Sequence, residues 1–454
     1  MGLTEELCRT IVALDDVKDP IAIAAATRTM IDGFAVALAG SVEEPPHLLA
    51  DHIRDMGGTP LASVIGLGFK TSPYYAAYLN GVLMHVLDFE PMWYPPTHTT
   101  STTLPAVTAI GERIGASGHD VLVAFLKGCE IQGRILFAAR TYALHDLSFH
   151  PPGLAGVMAS AVGVAHLLHL DETQLRNALG IAASRAGSLI ANVGTMTKST
   201  HCGLAGALGL EAALLAQRGF TGNTDILENG YFKTFFKNEV DEAALLAYGR
   251  PFRLVDPGVA IKMFPSQYGT HFCITAGLEL HERIDAPTID DVEMRVPLMP
   301  YVNRPSPKTG LDGKFSMQYT LAAALLDGVV TIGTFSDERR FRSDMVELLS
   351  KVRLIPDETI PAQFADMHVE VRVVQRDGTS VQTRCDGPKG LWNHAPITPQ
   401  DHARKIADCL AVVLEPDAAA ALARKLQQID TLNAAALQDC LEVLRTPAAA
   451  ESAG

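Results

Sequence analysis

The fold class this sequence predicts is mainly α with an α+β part: a large all-helical domain built from both ends of the chain, with a smaller α+β domain inserted. Three observations predict it. From about residue 4 to 250, apolar residues recur at spacings of three and four, the period of a packed helix. Between 291 and 385 the period drops to two, that of a half-buried strand. From 400 to 446 the chain returns to Ala- and Leu-rich helix, suited to packing back on the first body. With 454 residues, 48% hydrophobic and 19% charged, there is material for a substantial core and two domains. The expected division is 1–265 with 396–454 for the helical domain and 266–395 for the inserted one.

In chain order, "IAIAAATRTMIDGFAVALAG" (21–40) has helical spacing and is expected to stop on Gly40 as its C-terminal cap. "SGHDVLVAFLKGCEIQGRILFAAR" (117–140) opens with cap-type residues and continues apolar. Residues 154–170 come closest to a membrane span, but Ser160 and His166 interrupt them, so they read as a buried helix. "DETQ" (171–174) is a capping box opening the next helix. The small residues of "GLAGALGLEAALLA" (203–216) let neighbouring helix backbones approach closely. "DVEMRVPL" (291–298) alternates as a strand, and "HVEVRVVQRDGTSVQTRC" (368–385) is two alternating runs joined at Asp377-Gly378, a hairpin signal. Between them "MQYTLAAALLDGVV" (317–330) predicts one more helix, and the tail, 446–454, is expected to fray.

A formal net charge of −14 argues against nucleic-acid or anionic-membrane partners. It leaves room for an anionic small substrate, because a site is governed by its local cations. Seven scattered cysteines, odd in number and without CxxC, predict buried thiols rather than disulfides or a zinc knuckle. "MGLTEELCRTIVALDD" carries acids where a secretory leader needs a basic start, so a cytoplasmic protein is expected. GxGxxG after a strand, GxxxxGK[ST], HExxH and GxSxG are all missing from the sequence. Nucleotide, P-loop, zincin and α/β-hydrolase chemistry lose their support, and no metal or cofactor is expected.

Four stretches carry side chains suited to proton transfer. In "LDFEPMWYPPTHTTSTTLPA" (87–106), Pro95-Pro96 forces a loop between Asp88 and His98. In "LHDLSFHPPGLAG" (144–156), His150 stands at a helix start, where exposed N–H groups favour a carboxylate. "VGTMTKSTHCG" (193–203) offers Lys198 and His201, and "TGLDGKFSMQYTLAAALLDG" (309–328) places Tyr319 at the start of an apolar helix. Each has an ordinary reading too. Asp88 caps or forms an ion pair, Trp93 and Tyr94 cover apolar surface, the histidines are solvated, Lys198 is a surface cation and Tyr319 is packed with its hydroxyl satisfied.

Taken in order, these stretches resemble the MmgE/PrpD family, which includes 2-methylcitrate dehydratase, cis-aconitate decarboxylase and iminodisuccinate epimerase. "LNGVLMHVLDF" (79–89), "LPAVTAIGERIGASG" (104–118), "FHPPGLAG", "GTMTKSTHCG", "RGFTGNTDILE" (218–228), "KMFPSQYGTH" (262–271) and "KFSMQYTLAAALLDG" (314–328) extend the resemblance over nearly the whole chain. It implies an α+β lid on a helical body, a homodimer, and Asp88, His98, His150, Lys198 and Tyr319 around the substrate, with His201 close by. The family's usual "DFDDT" is "DFEPM" here, and its "YPSC" is "FPSQ". The spacing from Asp88 to His98 is that of the decarboxylase-type loop "DFDDTWHPATH".

The expected function is therefore a cofactor-independent lyase, a dehydratase or decarboxylase, acting on a small di- or tricarboxylate such as 2-methylcitrate or cis-aconitate. In that reading His98 and His150 are the acid/base pair, Lys198 anchors a carboxylate and Tyr319 donates a hydroxyl hydrogen. Asp88 orients a histidine, and His201 assists binding. The alternatives are an epimerase or racemase using the same groups, and a non-catalytic carboxylate-binding protein.

Overall fold

The computed structural model describes residues 2–93, 95–140, 148–237, 239–392 and 395–448. Tyr94, residues 144–147 of the second loop and the tail from 449 lie outside the described residues. The helical body begins with α1 (Leu3–Ala13), α2 (Pro20–Gly40) and α3 (Glu44–Met56), followed by the two-residue strands β1 (Ala62–Ser63) and β2 (Lys70–Thr71). It continues with α4 (Pro73–His85), α5 (Thr100–Ile114), α6 (Gly118–Ala138), α7 (Pro151–Leu167), α8 (Glu172–Ala183) and α9 (Thr197–Gln217). Helices α4, α5, α7 and α9 pack on one another at its centre. The capping boxes form at Ser117/Asp120 and Asp171/Gln174, and α7 is buried as expected.

Small residues decide how closely α4 and α9 cross. A Cβ on Gly81 would lie 2.5 Å from Gly203 Cα, and one on Gly203 only 2.1 Å from the Tyr78 carbonyl oxygen. This backbone contact sets the register that brings His85, at the end of α4, beside Lys198 in the first turn of α9. Gly40 has a different role from the one its position suggests. It is the last residue of α2, and the cap that follows, Ser41, is right-handed at φ −71°. A Cβ on Gly40 would meet the Leu83 carbonyl oxygen at 2.3 Å, so close approach to α4 explains the glycine.

Helix α2 is long and apolar enough by composition to cross a membrane, but it is packed into the core with Asp32 fully buried near its middle. Asp32 accepts from Lys405 Nζ at 2.8 and 2.9 Å, and from His402 Nε2 at 3.0 Å. Both partners lie on the helix Pro399–Leu410, which returns the C-terminal end to the body. With Pro416–Leu426 and Ala434–Leu444 it adds Ile406, Leu410, Leu422 and Leu441 to the first hydrophobic core.

A second core lies between the helices Tyr268–His281 and Met317–Asp327 and a four-stranded sheet. Its strands are β3 (Ile289–Pro297), β4 (Val352–Asp357), β5 (Val369–Gln375) and β6 (Ser380–Cys385), in the order β4-β3-β5-β6. The β3/β4 pair is parallel and the others antiparallel. The β5–β6 turn falls where Asp377-Gly378 placed it, with Gly378 left-handed at φ 85° and its N–H donating to Gln375 O at 2.9 Å. Strand β4 had no clear sequence signal: it is an edge strand of weak alternation that carries Pro356, which edges tolerate. All seven cysteines are free and buried.

Because backbone meets Gly203, Gly203→Ala should lower stability by about 1–3 kcal/mol through overpacking. Gly187→Ala, where an added Cβ meets nothing within 4 Å, is the control and should stay within about 0.5 kcal/mol. Urea unfolding midpoints of the two variants check this.

Candidate active site

The segment between α4 and α5 is almost entirely buried, and several distant groups hold it. Asp88 adopts a left-handed backbone at φ 51°, a conformation that costs a non-glycine residue about 1–2 kcal/mol. Its N–H donates to His85 O at 2.9 Å, and its carbonyl accepts from Lys262 Nζ at 2.8 Å. One residue on, the Phe89 carbonyl accepts from Lys405 Nζ at 2.8 Å, tying the loop to the Asp32 ion pair. Trp93 donates from Nε1 to Arg253 O at 3.1 Å. Gln132 of α6 donates to Thr97 Oγ1 and His98 O at 2.8 and 2.9 Å.

Around this loop the reactive groups converge. Asp88 Oδ2 accepts from Lys198 Nζ at 2.8 Å, and Oδ1 accepts from Lys262. His98 Nε2 lies 3.7 Å from Asp88 Oδ1. The ring centroids of His85 and His98 are 4.5 Å apart, those of His98 and His150 6.3 Å, and those of His150 and His201 5.3 Å. His150 is the N-cap of α7, and its Nδ1 lies 3.2 Å from His201 Nδ1. Asp88, His98, His150, Lys198 and Lys262 share a cavity of about 220 Å³. Its opposite wall comes from the second core's part of the chain, including Gln267, Tyr268, Tyr301 and Phe315.

The electrostatics follow from burial. Burial alone would raise the Asp88 carboxyl, but Lys198 and Lys262 more than offset it and hold the group well below the usual carboxylate range. Burial pushes Lys262 down to about 8, against the attraction of Asp88. Burial first, and the neighbouring lysine charge second, keep His85, His98 and His150 well below the ordinary imidazole value. The same causes bring His201 to about 4. The imidazoles are thus neutral near pH 7 and available as bases. Burial pushes the Glu90 carboxyl up to about 8, while the bonds it accepts from Ser101 oppose that shift.

The profile of the MmgE/PrpD N-terminal domain matches residues 6–243, and that of the MmgE/PrpD C-terminal domain matches residues 264–430. The chain belongs to the MmgE/PrpD family. Cis-aconitate decarboxylase of Mus musculus is 32% identical over 432 residues, covering 92% of this chain and 87% of that protein. The Homo sapiens protein of the same name is 32% identical over 420 residues, covering 89% and 87%. 2-Methylcitrate dehydratase of Salmonella typhimurium is 26% identical over 389 residues, covering 78% and 76%.

Of the residues singled out in this MmgE/PrpD sequence, Asp88, His98, His150 and Lys198 meet at one cavity, and His201 stands behind His150. Tyr319 does not join them, which corrects the role expected of it. Its side chain is fully buried in the second core, its hydroxyl donates to the Thr334 carbonyl, and it is not among the cavity's lining residues. Two tyrosines do line the wall, Tyr268 and Tyr301, and the Tyr301 hydroxyl accepts from Gln267 Nε2 at 2.9 Å. Sequence reasoning also passed over His85, Glu90 and Lys262. His85 and Lys262 stand inside stretches that carry the family resemblance, so motif membership was the available signal. Glu90 looked like the remnant of a lost acid pair, yet it is fully buried and bonded to His85 and Ser101.

His85, His98 and His150 each offer a ring nitrogen within 4.8 Å of the others, a spacing a metal ion could use. The donor set suits it poorly. His85 Nδ1 faces Glu90 at 2.6 Å and its Nε2 faces the Lys198 ammonium at 2.9 Å, so a cation there would meet like charge.

Asp88→Asn should destabilise the fold by about 3–5 kcal/mol at pH 7, because two buried ammoniums lose their counter-ion. The native Asp88 contribution is fully present above its unfolded pKa of about 4 and is lost as pH falls toward the depressed folded value. The gap between wild type and variant should therefore shrink below pH 4, as urea titrations across pH 3–7 will measure.

Proposed function

We propose that this chain is a lyase that acts on a small di- or tricarboxylate without a cofactor, and that its reaction is decarboxylation of an unsaturated tricarboxylate. The observation that carries the proposal is the meeting of Lys198, bonded to Asp88, with the neutral imidazoles of His98 and His150 at one cavity. The mouse and human proteins named cis-aconitate decarboxylase support decarboxylation over dehydration: they match at 32% identity, against 26% for the Salmonella dehydratase, although cis-aconitate decarboxylase of Aspergillus terreus also matches at 26%.

Lys198 and Lys262 bring two cationic heads to a wall whose one ionised acid, Asp88, balances only one of them. A substrate carboxylate supplies the missing negative charge. Its arrival raises the proton affinity of the adjacent imidazoles, so His98 or His150 takes up a proton as substrate binds. When the C–C bond breaks, CO2 leaves and the electron pair stays on the substrate, where the imidazolium returns the proton to carbon. In a dehydration the neutral imidazole would instead remove the proton beside a carboxylate, while Lys198 assists departure of hydroxide. The same reading carries a homodimer, a cytoplasmic location and a lid formed by residues 266–395. Sedimentation velocity at twice the chain mass is the expected check on the dimer.

The test is incubation with cis-aconitate, 2-methylcitrate and citrate, with products followed by mass spectrometry. Release of CO2 is the expected result. A new double bond without CO2 would indicate dehydration, and deuterium wash-in alone would indicate epimerisation. His98→Ala and Lys198→Ala should each lower kcat/KM by about 10²–10⁴-fold. Tyr319→Phe should leave it nearly unchanged. No product from any acid would sink the lyase reading.

A further inference from the structure

We propose that Glu90 is a positioning residue, which sets the tautomer of His85 and through it aims the ammonium of Lys198 into the cavity. The inference rests on the lyase reading, in which Lys198 meets the substrate.

Hydrogen-bond donors at Lys198 set the geometry. A lysine ammonium has three N–H groups and no acceptor. Lys198 gives one to Asp88 Oδ2 at 2.8 Å and points a second at His85 Nε2 at 2.9 Å. One remains, and Lys198 lines the cavity, so that N–H is the one available to a substrate. The ring of Phe315, centred 5.1 Å from Nζ, covers another side of the ammonium. This arrangement requires His85 Nε2 to present a lone pair, because an N–H there would confront the ammonium donor to donor. His85 must then carry its proton on Nδ1.

Glu90 supplies the reason it does. Its Oε1 lies 2.6 Å from His85 Nδ1, with both side chains fully buried. Ser101, in the first turn of α5, holds the carboxyl group from the other side. Its N–H donates to Oε2 at 2.7 Å and its hydroxyl to Oε1 at 2.6 Å. Burial raises this carboxyl to about 8, but an O–H on Oε1 would push the His85 proton onto Nε2, against the Lys198 ammonium; Oε1 therefore faces Nδ1 as the acceptor, and the line Glu90–His85–Lys198 ends at the cavity. The departure "DFEPM" has kept an acid where this relay needs one. Aspartate at the same place would reach His85 with one methylene fewer.

Long-range proton–nitrogen NMR of the [15N]histidine-labelled chain tests the first half, with the His85 signals assigned by their loss in His85→Gln. The inference expects a protonated Nδ1 and an unprotonated Nε2 in the wild type. A wild type with its proton on Nε2 overturns the inference without any variant. Kinetics test the second half. Glu90→Gln should move the proton to Nε2 and lower kcat by roughly 10²-fold, the lower end of what a positioned acid contributes, with KM little changed. Glu90→Asp should recover most of the loss. A Glu90→Gln enzyme with wild-type kcat, or one that keeps the Nδ1 proton, overturns the inference. A wild type that turns over none of the acids contradicts the lyase reading instead, and the NMR result then decides the Glu90–His85 pairing by itself.

Discussion

One carboxylate, buried between two ammoniums, is the constraint on which the rest of the site depends. Asp88 is 2% exposed, and burying its charge without partners would be prohibitive. Lys198 and Lys262 make it tolerable, and they do so from 110 and 174 residues away in sequence. Each lysine in turn needs Asp88, because a buried ammonium without a counter-ion gives up its proton. The trio therefore stands or falls together, and it leaves one cationic charge in excess at the wall of a cavity. That excess is what makes the cavity receptive to a carboxylate, and it also helps keep the neighbouring imidazoles neutral.

The helical body contributes precision. Gly81 against Gly203 lets α4 and α9 touch backbone to backbone, and that contact brings His85 within hydrogen-bond reach of Lys198. Asp32 and Lys405 form a second buried ion pair, whose remaining N–H holds the carbonyl of Phe89 next to Asp88. The left-handed backbone of Asp88 persists because both its own carbonyl and the next one are bonded to lysines. The C-terminal helices thereby reach the site without lining its cavity.

The larger features were legible because they rest on local rules. The change of period after residue 290, the turn at Asp377-Gly378, the cap-type residues at 117 and the capping box at 171 depend on neighbours in sequence. The forced loop at Pro95-Pro96 also follows from local stereochemistry. Positions that answer to distant partners were less legible. Gly40 reads as a cap but serves an approach to Leu83, and His85 reads as one residue of an apolar helix. Glu90 reads as a departure from the family pattern but is fully buried, with its carboxyl bonded to His85 and Ser101. Tyr319 misled for a related reason: a hydroxyl at the start of a buried helix needs an acceptor, and the Thr334 carbonyl supplies one away from the cavity. Strand β4 gains its identity from the β3 edge it pairs with, not from its own alternation.

The most direct test of the central claim is a crystal structure with an unreactive tricarboxylate bound. The account predicts a ligand carboxylate within about 3 Å of Lys198 Nζ, with a ring nitrogen of His98 or His150 facing the carbon beside it and the Asp88–Lys198 contact intact. A ligand held elsewhere in the cavity, with Lys198 bonded only to protein, would contradict it.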